Sequence, residues 1–238
     1  MKYLLLLLSI AGFSAKAQEK QKKNFDLTSR ANDHFIFQFS LDNWLNAPDS
    51  IDSHIKGFSR GANVYFMLDK PFKSNQKFSI AAGLGIGTSN IFFKEMLVDI
   101  NTPGKILQFS ETDSTGKYKK YKLTTAYAEL PLEFRYSSHP DQPNKSMKLA
   151  IGLKGGLMLN AHTKGKQWET STGNRIREGT EKISGKQYFN SSRIALTLRA
   201  GYGVWGVFGS YELTPLFKTG VASQDIRLMQ LGICISGL

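Results

Sequence analysis

Apolar and polar side chains alternate along most of the chain from about residue 34 onward. In residues 78–87, every second side chain is apolar and those between are Ser, Ala or Gly. Such alternation is typical of β-strands with one apolar face. It predicts eight strands, at His34–Asp42, Phe58–Asp69, Lys77–Asn90, Tyr121–Ser137, Met147–Asn160, Arg193–Tyr202, Trp205–Leu213 and Asp225–Gly237.

The connections between these strands alternate between long and short. In order, they are Asn43–Gly57, Lys70–Gln76, Ile91–Lys120, Ser138–Ser146, Ala161–Ser192, Gly203–Val204 and Thr214–Gln224. Membrane barrels show this alternation, with short periplasmic turns and longer external loops. The two longest connections contain turn signals near Asp113–Gly116 and Ser171–Asn174. A hairpin above the membrane at each would raise the strand count to about ten.

The strand lengths also suit a membrane barrel. Each predicted strand can supply the roughly 9–11 residues that a tilted transmembrane strand needs. After residue 17 there is no apolar run of about 18 residues, so helical spans are not expected. A soluble β-sandwich would alternate in the same way, but the connections favour the barrel. We therefore predict an all-β chain, with residues 34–238 forming a closed antiparallel transmembrane β-barrel of about eight strands.

The N-terminus has the features of a secretory signal peptide. Lys2 precedes the apolar segment Tyr3–Phe13, and Ala15-Lys16-Ala17 fits a signal-peptidase site. We expect residues 1–17 to be removed by cleavage before Gln18; an uncleaved anchor is the alternative. Residues 18–33 are polar and Lys-rich and are predicted to form a periplasmic leader. The expected location is the outer membrane.

The chain is basic, with a formal net charge of +12. Because the protein is exported, nucleic acid is not an expected partner, and an anionic lipid or polysaccharide surface is. The alternative is a set of solvated lysines without a partner. Candidate contacts in the predicted external connection Ala161–Ser192 are Lys164, Lys166, Arg175, Arg177, Lys182 and Lys186. The single cysteine, Cys234, excludes an intramolecular disulfide.

Charged side chains also lie on the polar faces of the predicted strands. Those expected in the lumen are Glu129, Glu133, Arg135, Lys154, Arg193, Arg199 and Glu212. Eight strands enclose an interior that side chains can fill, and unpaired charges there are costly. We predict that these groups pair across strands as a plug; a gated polar pathway is the alternative. Pro131, which lacks an N–H, predicts a local bulge at Leu130–Leu132.

Aromatic residues cluster near the predicted strand ends. They are Trp44, Phe72, Phe92, Phe93, Tyr136, Tyr202, Trp205 and Phe217. Aromatic rings favour the headgroup zone of a membrane. The pattern therefore predicts aromatic girdles at the two interfaces, with ordinary packing as the alternative.

Tyr127–Tyr136 reads YAELPLEFRY. This resembles a Tyr-x-Glu-φ-Pro-φ-x-φ-(Lys/Arg)-Tyr stretch, where φ is apolar, of the outer-membrane β-barrel family that includes the PorT-like proteins of Bacteroidetes. The Gly-rich stretches AAGLGIG and IGLKGG and the signal ending in Ala-Gln are similar too. The chain departs from the pattern in ending with Gly237-Leu238 instead of a terminal aromatic. The resemblance implies an outer-membrane barrel, some of whose relatives are implicated in protein secretion and gliding.

Enzymatic chemistry finds little support in the sequence. The histidines, His34, His54, His139 and His162, lack metal-ligand spacing. His54 beside Asp52 and Ser53 suggests a lipid-modifying hydrolase, but neighbours on a loop rarely form a triad. Gly83–Gly87 resembles a phosphate-binding loop but lacks Gly-Lys-Ser/Thr and a following helix. No catalytic residue, metal site or cofactor is predicted.

The leading hypothesis is a non-enzymatic outer-membrane barrel, structural or accessory to an envelope or secretion assembly. Its expected partners are outer-membrane lipid and other envelope or secretion proteins, contacted through the basic external loops. The alternatives are a narrow porin-like channel, a lipid-modifying enzyme and a soluble periplasmic barrel. The sequence leaves the oligomeric state open.

Overall fold

The computed structural model describes residues 34–112, 116–170 and 173–236. In chain order, the strands are β1 Phe35–Leu45, β2 Arg60–Pro71, β3 Phe78–Phe93, β4 Met96–Asp99, β5 Gln108–Glu111, β6 Lys117–Ser137, β7 Met147–Glu169, β8 Arg175–Ser184, β9 Ser192–Tyr202, β10 Trp205–Glu212 and β11 Arg227–Ser236. One helical turn, α1, spans Asp49–Asp52, and a 3₁₀ turn spans Pro143–Lys145. No helix among the described residues is long and apolar enough to cross a membrane.

Eight of these strands close into an antiparallel barrel. The sheet runs β6-β3-β2-β1-β11-β10-β9-β7, and β7 pairs back onto β6. The first and last strands therefore lie side by side, with Phe37 opposite Ile235. This closure confirms the fold class predicted from the alternation, because no barrel strand is left with an unpaired edge.

The outward face of the barrel is a belt of exposed apolar side chains. Leu84 is 63 % exposed, Leu157 64 % and Leu198 61 %, and every barrel strand contributes at least one comparable residue. A soluble protein rarely exposes an apolar surface of this extent, and nothing among the described residues covers it. The belt is therefore the surface that meets membrane hydrocarbon.

The predicted long connections contain more strand than the sequence reading assigned to them. Strand β6 begins at Lys117 and β7 continues to Glu169, where β8 pairs with it as a hairpin. Strands β4 and β5 form a separate two-stranded sheet. The outward positions of these extensions carry polar residues such as Lys and Thr, where the belt carries Leu and Ile. The extensions therefore lack the alternation of apolar and polar residues from which the strands were predicted. The turn residues 113–115 and 171–172 lie outside the described residues.

The predicted aromatic girdle exists at one end only. Phe72, Tyr136, Tyr202 and Trp205 lie near the short turns, where Tyr202 and Trp205 are more than 60 % exposed. At the other end Phe92 faces outward beside Arg60. The prediction is wrong for Trp44, Phe93 and Phe217, which are buried and pack edge to face on one another. These rings turn inward because the long connections fold over the barrel mouth and give them an apolar core to join.

The structure contradicts the bulge predicted at Pro131. The register on both sides of Leu130–Leu132 is continuous, and the β6–β3 ladder simply lacks pairs at Leu130 and Pro131. The missing N–H of Pro131 therefore interrupts the pairing of β6 with β3 without inserting an extra residue in the strand. An irregularity does occur in the β6–β7 pair, opposite Ala126/Tyr127, where β7 carries Leu159 as an extra residue.

Three sequence predictions concern residues outside the described ranges. These are the signal peptide at 1–17, the leader at 18–33 and the end of the last predicted strand at Gly237.

We expect Gly85→Ala to destabilise the barrel. A Cβ at Gly85 would lie 2.2 Å from the Val64 carbonyl oxygen and 2.3 Å from Cδ1 of Tyr65. Overpacking of this kind typically costs about 1–3 kcal/mol. The measurement is the free energy of unfolding in detergent, obtained by denaturant titration. Gly155→Ala is the matched control, because a Cβ there meets nothing within 4 Å; an equal loss in both variants would contradict the packing argument.

Candidate functional site

A network of buried charges fills the middle of the lumen. Glu129 on β6 accepts hydrogen bonds from Tyr65 Oη at 2.5 Å and from Arg193 Nη2 at 2.6 Å. Lys154 Nζ lies 3.4 Å from the same carboxylate. Arg193 also donates to Glu212, so one guanidinium joins two carboxylates. Five strands, β2, β6, β7, β9 and β10, thereby meet at a single ion-paired cluster, the Glu129 cluster.

A second cluster lies nearer the short turns. Glu133 Oε2 accepts from Arg135 Nε at 2.8 Å and from Arg199 Nη2 at 2.9 Å. Arg135 Nη1 is 3.8 Å from Asp69, whose carboxylate accepts from Ser79 Oγ at 2.7 Å. The structure therefore places all seven charged residues singled out in the sequence inside the barrel, in two groups.

Small residues on neighbouring strands make room for these side chains. Glu129 pairs with Gly85 on β3 and with Gly156 on β7, and Glu133 pairs with Gly152. A Cβ at Gly87 would lie 2.5 Å from Glu129 Oε2. The Gly-rich stretch that superficially resembles a phosphate-binding loop is thus a strand that accommodates lumen side chains.

Several neutral and acidic partners of the network were missed by sequence reasoning. The Arg193 guanidinium lies 3.8 Å from the Tyr127 ring centroid. Gln230 accepts from Lys154 at 3.4 Å and donates to Asp42 at 3.1 Å. These residues, with Tyr65, lie on the lumen faces of their strands. The alternation along each strand could therefore have identified these residues as facing the lumen. Which of them contact one another depends on the register between strands of the barrel.

An apolar cap closes the long-loop end of the barrel. Its buried core is drawn from all four long connections and from the strand ends beneath them: Trp44, Ile51, Ile91, Phe93, Met96, Val98, Ile100, Leu107, Tyr121, Leu123, Ala161, Tyr188, Phe189, Leu216, Phe217, Ile226 and Leu228. Below it, a cavity beside Lys154 and Phe208 holds about 10 Å³. Another, between Arg135 and Pro143, holds about 30 Å³. Such cavities admit little more than a water molecule each.

The hairpin extension above the barrel is packed against β6. The Tyr118 and Trp168 rings meet edge to face with centroids 4.7 Å apart. Tyr118 Oη donates to Glu181 on β8 at 2.6 Å. Burial, and then this carboxylate, raise the pKa of Tyr118 to about 12. The phenol therefore stays protonated near neutral pH and keeps its bond to β8.

The six basic residues predicted as external contacts divide into different environments. Arg175 pairs with Glu178 at 3.2 Å and Arg177 with Glu181 at 3.0 Å. Lys186 Nζ is 3.5 Å from the Leu159 carbonyl oxygen. Lys164 and Lys166 lie on β7 and Arg175, Arg177 and Lys182 on β8, so all of the six except Lys186 belong to strands and not to a loop.

The residues considered for hydrolysis do not form a triad. His54 Nδ1 lies 3.0 Å from the Ser50 carbonyl oxygen and 3.2 Å from Ser53 Oγ, and its Nε2 lies 3.9 Å from Glu111. Among the described residues, the carboxylate that approaches His54 is thus Glu111 and not Asp52, so Asp52, Ser53 and His54 lack the ordered chain of a triad. Over the described ranges, no group of three or more His, Cys, Asp or Glu side chains is arranged to hold a metal ion.

Comparison with known families agrees with this geometry. Residues 16–219 match the family model of the outer membrane protein beta-barrel domain. The chain belongs to this family. The outer-membrane barrel accordingly has its short turns on the periplasmic side and its cap on the external side. No curated protein shows a significant match to the chain.

We expect Glu129→Gln to destabilise the outer-membrane barrel by about 3 kcal/mol, because it leaves buried Arg193 and Lys154 short of a counter-charge. Unfolding free energies in detergent, measured by denaturant titration, test this. Glu178→Gln is the control, since its pair with Arg175 is exposed and worth under about 1 kcal/mol. Adding Lys154→Met to Glu129→Gln should restore part of the loss; a strictly additive double variant would show that the two groups are not coupled.

Proposed function

We propose that the protein is a non-enzymatic outer-membrane barrel, structural or accessory to an envelope or secretion assembly. It anchors an ordered external cap in the membrane. We further propose kinship with the PorT-like proteins of Bacteroidetes, on the motif at Tyr127–Tyr136, and export by a signal peptide cleaved before Gln18. Outer-membrane lipid and other envelope or secretion proteins are the proposed partners, and nucleic acid is not among them.

The observation that supports this proposal is the filling of the lumen. The two ion-paired clusters occupy the barrel interior, and the apolar cap covers its external mouth. Moving ions through this path would require breaking buried pairs such as Arg193 with Glu129 and Glu212. Breaking a buried pair typically costs several kcal/mol. The interior therefore favours a structural barrel over a narrow porin.

The external cap supports contact with a protein partner. Ile106 and Ile176 lie outside the lipid-facing belt, yet they are 58 % and 53 % exposed. A protein partner would bury these side chains, and contiguous exposed apolar patches are typical of interaction sites. A lipid-modifying activity finds no comparable support, because Asp52, Ser53 and His54 do not form the ordered chain of hydrogen bonds that a triad needs.

We expect the purified barrel to show no ion conductance above background in a planar lipid bilayer. The reason is that both the paired charges and the cap must move before water forms a continuous file. A wide general porin reconstituted in the same lipid is the positive control. Reproducible single-channel steps from the wild-type barrel would reject the structural proposal in favour of the porin.

A photo-crosslinking residue in place of Ile106 should form an adduct with one discrete envelope protein in intact cells. The same residue in place of Leu198 is the matched control, because Leu198 is equally exposed but lies in the lipid-facing belt. Adducts are measured as mass-shifted bands and identified by mass spectrometry. Only lipid adducts at both positions, or the same protein adducts at both, would argue against a partner on the cap.

A further inference from the structure

Lysines line up across three strands on the outer surface above the belt. Lys122 on β6 lies directly opposite Lys164 on β7, which lies opposite Lys182 on β8. Lys120 and Lys166 form a second opposed pair one step further out. Directly opposed residues of antiparallel strands share a face of the sheet. These five side chains, the lysine row, therefore point outward together.

The described residues supply no counter-charge to the lysine row. Within the described residues, none of the five lysines forms an ion pair with a carboxylate; Lys122 donates instead to the amide oxygen of Asn90 at 2.6 Å. The nearby acids are engaged elsewhere, Glu181 with Tyr118 and Arg177 and Glu169 with Lys119. Like charges directly opposite one another destabilise a sheet. The arrangement is therefore favourable only if an anion lies against it.

The electrostatic environment of His162 agrees with this description. His162 lies two residues before Lys164 on β7, on the belt side of the lysine row and opposite Thr124 and Ser184. Burial, followed by the charges of Lys182, Lys122 and Lys164, lowers the pKa of His162 below its usual range. The positive charges of all three opposed lysines therefore act on the His162 ring.

The position of the lysine row relative to the membrane indicates which anion it meets. The outermost belt residue of β7 is Leu159, which is 50 % exposed, and Lys164 lies a few residues further along the same strand. At about 3.3 Å per residue and a tilt of about 40°, this raises the Lys164 backbone roughly 13 Å above the belt edge. A phospholipid headgroup layer is only about 5–8 Å deep. A headgroup with phosphates on sugar units extends to the required height.

We propose that the lysine row binds the phosphate groups of a phosphorylated glycolipid in the external leaflet. The flexible stems of Lys122, Lys164 and Lys182 direct their ammonium groups toward the headgroups while the backbone ladder fixes their spacing. Arg60, which lies 5.3 Å from the Phe92 ring centroid, extends the positive surface toward β2. This proposal depends on the outer-membrane location and is independent of the accessory role, so each can fail alone.

The test compares two triple variants of the full-length protein with equal changes in net charge. The first is Lys122→Gln, Lys164→Gln and Lys182→Gln. The control is Arg175→Gln, Arg177→Gln and Lys186→Gln, whose cations pair with acids of their own strand or with a carbonyl. Fluorescent lipid A is titrated into each detergent-solubilised protein, and binding is followed by anisotropy. Resistance of the folded barrel to unfolding in SDS without heating verifies that each variant is folded.

We expect the lysine-row variant to bind lipid A on the order of a hundredfold more weakly than wild type, from about a fivefold loss for each of the three surface lysines. The control variant should bind as wild type does. Dephosphorylated lipid A and phosphatidylglycerol should bind wild type weakly. In a histidine titration by NMR, lipid A should raise the pKa of His162, because phosphate neutralises the cations beside it.

Three results would overturn the proposal. The first is equal binding by the lysine-row variant and wild type. The second is an equal loss in both triple variants, which would reduce the effect to net charge. The third is binding of dephosphorylated lipid A or of phosphatidylglycerol that is as tight as the binding of lipid A. Equal binding of dephosphorylated lipid A would show that the phosphates are not recognised, and equal binding of phosphatidylglycerol would show that the sugar is not recognised.

Discussion

The structure depends on the need to hydrogen-bond every backbone amide that enters hydrocarbon. In a membrane core an unsatisfied N–H or C=O costs several kcal/mol, so a sheet is stable there only when it has no edge. Here the pairing of β1 with β11 completes the ring. Pro131, which removes one N–H from that ring, is accepted because the β3–β6 ladder lacks pairs only at Leu130 and Pro131 and resumes in the same register.

Closure of the ring determines what the lumen must contain. The interior of an eight-stranded barrel is narrow, and inward-pointing side chains must fill it. Glycines on β3 and β7 lie beside the carboxylates of β6, so large charged groups fit where two large residues would clash. Charges drawn into that space are stable only in pairs. The two ion-paired clusters follow from the ring, and they in turn fix strands distant in sequence, as when Arg193 on β9 joins Glu129 on β6 with Glu212 on β10.

The sequence specifies the parts of this fold where one face of a strand meets hydrocarbon. The strand predicted at Arg193–Tyr202 is found at Ser192–Tyr202, and the one predicted at Trp205–Leu213 at Trp205–Glu212. The extension of β7 to Glu169 was not predicted, because beyond Leu159 the outward residues meet water and the apolar half of the alternation disappears while the hydrogen-bonded ladder continues. The inward burial of Trp44 and Phe93 follows the parity of their own strands, since both lie in phase with inward-facing polar residues such as Asp42 and Ser89. The salt-bridge partners could not be predicted, because they depend on register between strands that are far apart in the chain.

The same residue types take opposite roles on the two faces of the barrel, and burial decides which. Inside, Lys154 has Glu129 within 3.4 Å, because desolvated charge without a partner would unfold the barrel. Outside, Lys122, Lys164 and Lys182 lie opposite one another and pair with no carboxylate among the described residues, and water and salt reduce their repulsion enough for the fold to tolerate it. A paired charge is satisfied and contributes to structure alone, whereas an unpaired row retains its capacity to bind an anion. The distribution of partners, more than the net charge, therefore separates the part of this barrel that holds the fold from the part available for binding.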